Sequence, residues 1–173
     1  MYQLSPKHRK YILSTFDLAL KDLLKSRIVE GKKIEKEIKS NIKKLNKINL
    51  KIIRLEDKNK KQHFENYVNR IKLILNDFDF DLNDNRLYKE LSFFSDKYDI
   101  SEETSRITYH LNKFNSYIDN EDYPGKKINF LCQELFREIN TIGSKASNEI
   151  ISTLVIDFKT YLEKIREQVQ NIL

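Results

Sequence analysis

The chain has 173 residues, of which 34% are charged, and a formal net charge of +6. Three Gly, two Pro and the single Cys132 are too few for the turns of an all-β chain or for a disulfide framework, so an all-α fold in a reducing compartment is expected. No apolar run approaches the ~18 residues of a membrane span, and the opening MYQLSPKHRK lacks a signal peptide's hydrophobic segment, so the expected location is cytoplasmic with no membrane partner.

Residues 7–29 place Ile12, Phe16, Leu20, Leu23 and Leu24 at helical spacing and run into RIVEG, Arg27 to Gly31. From there Ile34, Ile38, Ile42, Leu45, Ile48, Ile52 and Leu55 step by 4, 4, 3, 3, 4 and 3, a stripe of coiled-coil type with Lys and Glu on the other faces. EDKNKKQ, Glu56 to Gln62, has no apolar residue and is expected to turn the chain. Phe64, Tyr67, Val68, Ile71, Ile74 and Leu75 would then return as the second arm of a long antiparallel helical hairpin.

NDFDFDLNDN, Asn76 to Asn85, is dense in Asp and Asn, which compete for their own backbone and weaken helix. Its alternating acids lack the Gly and terminal Glu of an EF-hand loop, so it is read as a linker. Net charge also changes sign there, from +12 over residues 1–75 to −6 over residues 76–173. The expected organisation is a basic helical region at 1–75, a linker at 76–85 and a C-terminal bundle of about four helices at 86–173. A basic half beside an acidic one suits a polyanion held near metal-binding carboxylates, but charge alone favours a solvated helical hairpin.

In the C-terminal region Leu87, Leu91 and Phe94 mark one helix. Ser101 is expected to cap the next, with Glu102 and Glu103 in its first turn and Ile107, Leu111, Phe114 and Ile118 inward. After a turn around Asp122 to Gly125, Ile128, Leu131, Leu135, Ile139 and Ile142 define a third helix. Ile151, Leu154, Phe158, Leu162, Ile165 and Val169 define the last. Cys132 falls inside this pattern as a packing residue.

Two polar clusters interrupt the apolar pattern. Glu134, Glu138, Thr141 and Lys145 step by 4, 3 and 4 along one helix face. Two carboxylates one turn apart can hold a hard divalent cation, and Lys145 can neutralise a phosphate brought to it. Arg137 shares an adjacent stripe with Gln133, Asn140 and Ser144 and offers a planar fork for phosphate. In the second cluster Glu103, Arg106 and His110 step by 3 and 4, joining an acid, a cation and an imidazole suited to proton transfer or metal ligation. Read from the residues alone, ion pairs between packed helices are the favoured account of both clusters. Neither contains a nucleophile elbow, a P-loop or a zinc spacing.

These residues also carry a resemblance. The stretch from Asn85 to Phe114 containing SEETSRITYH, and that from Pro124 to Leu173 containing QELFREINTIGSK and IREQVQNI, resemble the C-terminal domain of the YicC/YloC family over residues 85–173. RIVEG is similar to the R-x-x-EG that opens the family's long helical section, extending a weaker likeness to about residue 10. The resemblance implies a divalent-metal-dependent endoribonuclease (Mn or Mg), or the C-terminal module of one, that cleaves RNA phosphodiester bonds and assembles as a homo-oligomer, a hexamer. Glu103, Arg106, His110, Glu134, Arg137, Glu138, Asn140, Thr141 and Lys145 match the family's polar pattern, with Arg27 and Glu30 in its upstream motif.

The expected roles follow from that match: His110, Glu134 and Glu138 in catalysis; Glu134, Glu138 and Glu103 on the metal; Arg106, Arg137, Lys145, Asn140, Thr141 and Arg27 on RNA phosphates. The family's N-terminal α+β domain has no counterpart in this sequence, so catalysis that needs it is expected to be lost or to require a separate partner chain. Phe136 stands where the family usually has Asn. The alternative reading is a catalytically inactive RNA-binding or oligomerisation module.

Overall fold

The computed structural model describes residues 5–76, 98–121, 124–146 and 148–170. Four helices account for nearly all of them: α1 (Pro6–Asn76), α2 (Ser101–Asn120), α3 (Gly125–Lys145) and α4 (Glu149–Gln170). No strand occurs among the described residues, as the all-α expectation requires. The linker expected at 76–85, beyond Asn76, and the helix expected at Leu87, Leu91 and Phe94 lie outside the described residues.

The chain divides into two compact units, Met1–Ile38 and Lys39–Leu173. The first is helical throughout its described length after Ser5, as the spacing of Ile12, Phe16, Leu20, Leu23 and Leu24 predicts, and these five side chains are exposed. Arg27 and Glu30 of the RIVEG motif are exposed on the same helix.

The expected turn at Glu56–Gln62 is not formed. Those residues are helical within α1, so residues 34–55 and 64–75 do not fold back on each other as a hairpin. The physical reason is that this run contains neither Gly nor Pro, while Glu, Lys and Gln are good helix formers; a polar run changes which surface is wetted without breaking the backbone pattern. Glu56 is in fact buried, 6% exposed, and its Oε1 accepts the backbone N–H of Ile100 at 3.2 Å.

Within the second unit, residues 39–56 of α1 run antiparallel to α2. Lys39 pairs with Asp119 at 2.7 Å, Asn49 reaches Thr104 and Thr108, and Glu56 meets Ile100. Helix α3 packs antiparallel on α2, and α4 packs on α3. Lys44 of α1 sits 4.7 Å above the Tyr161 ring of α4 and closes the set into an up-down-up-down bundle. Its core takes Ile42, Leu45 and Ile52 from α1, Ile107, Leu111 and Phe114 from α2, Leu135, Ile139 and Ile142 from α3, and Phe158, Leu162 and Ile165 from α4. Each such side chain contributes roughly 1.5–3 kcal/mol on burial. In α4 the inward residue is Val155 where Leu154 was expected, which restores a 4, 3, 4, 3, 4 spacing from Ile151 to Val169. A Cβ added at Gly143 would lie 3.2 Å from Val155 Cγ1, so α3 and α4 approach closely at this glycine.

Helix α2 starts one residue earlier than its expected cap implies. Ser101 is the first residue of α2, not its cap, and its N–H is taken by Asp99 Oδ1 at 2.8 Å. At α4, Asn148 Oδ1 accepts the N–H groups of Ile150 and Ile151, a side-chain cap of the favoured type.

Candidate functional site

The antiparallel register of α2 against α3 brings the two polar clusters face to face. Position 103 meets 145, 106 meets 138, and 110 meets 134, so acids and bases on one helix confront their opposites on the other. His110, Glu134 and Glu138 each offer one ligand atom within 4.8 Å of the others, the group among the described residues that could hold a metal ion. Glu138 is buried, while His110 and Glu134 are half-buried. Opposite ligands around a dication bound at ~2.1–2.3 Å lie at most ~4.5 Å apart, so small side-chain rotations close the spread.

Two observations bear on whether these residues suit a cation. His110 Nδ1 is buried with no hydrogen-bond partner, and Glu134 has no ion-pair partner among the described residues. One imidazole and two carboxylates form a mixed N/O donor set that suits Mn2+ or another first-row dication, and suits Mg2+ less. Tyr109 sets its ring edge against His110, with centroids 5.5 Å apart, and Lys113 lies over the Tyr109 ring. The Tyr109 hydroxyl, as hydrogen-bond partner, holds the Lys113 ammonium more firmly in its charged form.

Glu138 is tied from the other side by Arg106, whose Nη1 donates to Glu138 Oε1 at 3.3 Å and whose Nη2 donates to Glu102. The hydrogen bond it donates to Glu138, then the charge of Glu102, push the Arg106 pKa above its ordinary value. Glu103, expected as a metal ligand, stands apart from His110, Glu134 and Glu138. Its Oε1 accepts Lys145 Nζ at 2.7 Å, and Lys145 also donates to the Asp99 carbonyl at 2.9 Å. A lysine only 29% exposed needs such partners, so the side chain expected on phosphate is engaged in linking α2 to α3. Thr141 bonds back to the Arg137 carbonyl at 3.1 Å. Arg137 and Asn140 are exposed, and Arg137 has no ion-pair partner among the described residues.

Among the buried polar residues, sequence reasoning missed Asn49 and Glu56 on α1. Asn49, fully buried, donates from Nδ2 to the Thr104 carbonyl at 3.1 Å and to Thr108 Oγ1 at 2.9 Å, and Glu56 caps the start of α2. The signal was present: Ile38, Ile42, Leu45, Asn49, Ile52 and Glu56 step by 4, 3, 4, 3 and 4, which puts both polar residues on the seam.

No helix among the described residues is long and apolar enough to cross a membrane. A profile of the family described as endoribonuclease YicC-like, C-terminal, matches residues 52–173. A probable endoribonuclease YicC of Clostridioides difficile is 38% identical over 161 residues, covering 89% of this chain and 52% of the relative. A probable endoribonuclease YicC of Haemophilus influenzae is 27% identical over 168 residues, covering 93% of this chain and 55% of the relative. This chain thus spans about half the length of these relatives, and the match includes both helices that carry the clustered His110, Glu134 and Glu138: the chain belongs to the YicC-like C-terminal family.

Proposed function

We propose that this chain acts in metal-assisted cleavage of RNA phosphodiester bonds, with His110, Glu134 and Glu138 as the residues that would hold the divalent cation. The observation that carries this reading is the meeting of one imidazole and two carboxylates within 4.8 Å on two helices, in a chain whose relatives are named probable endoribonucleases. When bound by these three side chains, a cation would supply stabilisation of charge developing on the phosphate and would lower the pKa of an attacking oxygen. Glu138, buried and held by Arg106, fixes one carboxylate in place. Glu134, without an ion-pair partner, can turn to meet its ligand. Arg137, exposed on the same turn of α3, is available to a phosphate oxygen, whereas Lys145 keeps α2 and α3 in register through Glu103.

The test is incubation of the purified chain with labelled RNA in Mn2+, in Mg2+ and in chelator. Cleavage that stops in chelator, and that falls on the order of a hundredfold in Glu138→Gln, is expected. Equal product in chelator would sink the metal assignment. Absence of any product, with binding retained, would favour an RNA-binding module lacking catalysis. Sedimentation of the same preparation reads the homo-oligomer that the family resemblance implies.

A further inference from the structure

We propose that the depression between α3 and α4, lined by Cys132, Gln133, Phe136, Arg137, Asn140 and Arg166, is a nucleotide subsite for single-stranded RNA: the two guanidinium groups take a phosphate and the Phe136 ring takes a base. The inference rests on the RNA reading above and names the part of the substrate recognised beside the metal-ligand group.

The lining chemistry points to a nucleotide. Gln133, Arg137 and Asn140 recur at spacings of 4 and 3, so they stand in one row on α3, all exposed, and Arg166 reaches the same depression from α4. No carboxylate is among the six lining residues, while two arginines are, which selects an anion. Arg137 has no ion-pair partner among the described residues. Arg166 is half-exposed and meets Glu163 only at 3.5 Å, longer than the ~2.7–2.9 Å of a close charge-assisted bond, so most of its donors stay available.

The arginines alone would take any phosphate; the other groups narrow the ligand. Phe136 is a half-buried aromatic ring within the depression, and the amides of Gln133 and Asn140 each present a donor and an acceptor that can meet a base edge. Stacking on a protein ring requires an unpaired base, so the fitting partner is single-stranded. Cys132 forms an inert floor: burial pushes its thiol up to about 12. The volume, near 370 Å3, lies in the range of small-ligand sites. Arg137 lies between Glu134 and Glu138 in sequence, so the same two turns of α3 serve the metal-ligand group towards α2 and the subsite towards α4.

The experiment is fluorescence anisotropy of a short labelled oligoadenylate, and of an abasic strand of equal length, against the full chain in chelator. Arg166→Gln is expected to weaken oligoadenylate about tenfold and to reduce the slope of log affinity against log salt by about 0.7. Phe136→Leu is expected to weaken oligoadenylate about tenfold, with no effect on the abasic strand or the salt slope. Circular dichroism checks folding; if Arg166→Gln fails to fold, Arg166→Lys keeps the charge but loses the fork, and is expected to lose affinity as well.

Wild-type affinity and slope in Arg166→Gln overturn the phosphate assignment, and equal weakening of both strands by Phe136→Leu overturns the base assignment. Metal-dependent cleavage together with those results would leave the nuclease reading standing and the subsite refuted. Arg166-dependent and Phe136-dependent binding without cleavage would do the reverse.

Discussion

Arg106 Nη1 donates to Glu138 Oε1 across the α2–α3 interface at 3.3 Å, and the Glu138 side chain that accepts it is only 5% exposed. A buried carboxylate beside a half-exposed guanidinium serves two ends: it joins the helices and fixes one oxygen of the candidate metal group. Breaking such a pair from one side leaves an uncompensated charge, whereas replacing both partners by apolar groups removes the penalty.

Arg106→Met is therefore expected to lower the melting temperature by a few degrees at neutral pH, and adding Glu138→Leu to recover most of that loss. Thermal unfolding by circular dichroism checks both. A double variant no more stable than Arg106→Met would show that the pair is not the unit of stabilisation.

Metal binding has a readout that does not need cleavage. At a Mn2+ concentration a hundred times its dissociation constant, binding to the native state alone adds about 2.7 kcal/mol, so the melting temperature of the wild type should rise by several degrees. His110→Ala and Glu134→Gln are expected to abolish the rise with little change in metal-free stability, because neither side chain has an ion-pair partner among the described residues. The same rise in both variants would place the ion elsewhere.

Much of this arrangement was legible because apolar spacing is a local property. The buried stripes of α2, α3 and α4 follow from Ile107, Leu135 or Leu162 and their neighbours at three and four residues. Polar continuity was misread. EDKNKKQ looks like a turn by hydropathy, yet helix formation needs only compatible backbones, and the Asn49 and Glu56 seam already carried the helical phase into it. The candidate site was legible as two clusters. Their joining was not, because whether Glu103 or His110 meets Glu138 depends on the register between α2 and α3, which is set by core packing across both helices. In unit 1, sequence spacing gave Ile12 and Phe16 a helical face without saying what, if anything, covers it.

Asn49 isolates the contribution of the buried polar seam. Asn49→Ala removes two hydrogen bonds and leaves a small void among Leu45, Ile52 and α2, and should cost about 1–3 kcal/mol. Asn49→Leu should cost less, because Thr108 Oγ1 keeps its own bond to the Thr104 carbonyl at 2.9 Å and the leucine continues the apolar stripe. Urea denaturation of the three proteins measures the order. Equal loss in both variants would mean that hydrogen bonding dominates over filling the space.

Cys132 links the core to alkaline pH. Its thiol is neutral in the fold and pushed up to about 12, first by burial, against an ordinary value of 9.0. The nearby Arg166 opposes that shift and Glu163 adds to it. Because the folded-state value is the higher one, the unfolded chain releases this proton first. The contribution to stability is complete below pH 9, and shrinks as pH rises from there towards about 12. Cys132→Ala should therefore flatten the alkaline limb of the stability profile while lowering stability at pH 7 by about 1 kcal/mol for the lost packing. Ellman's reagent at pH 8 should find no reactive thiol in the native chain and one after denaturation. Rapid labelling of the native protein would mean that Cys132 opens to solvent from the floor of the Arg137–Arg166 depression, and the alkaline limb would then be unchanged by its removal.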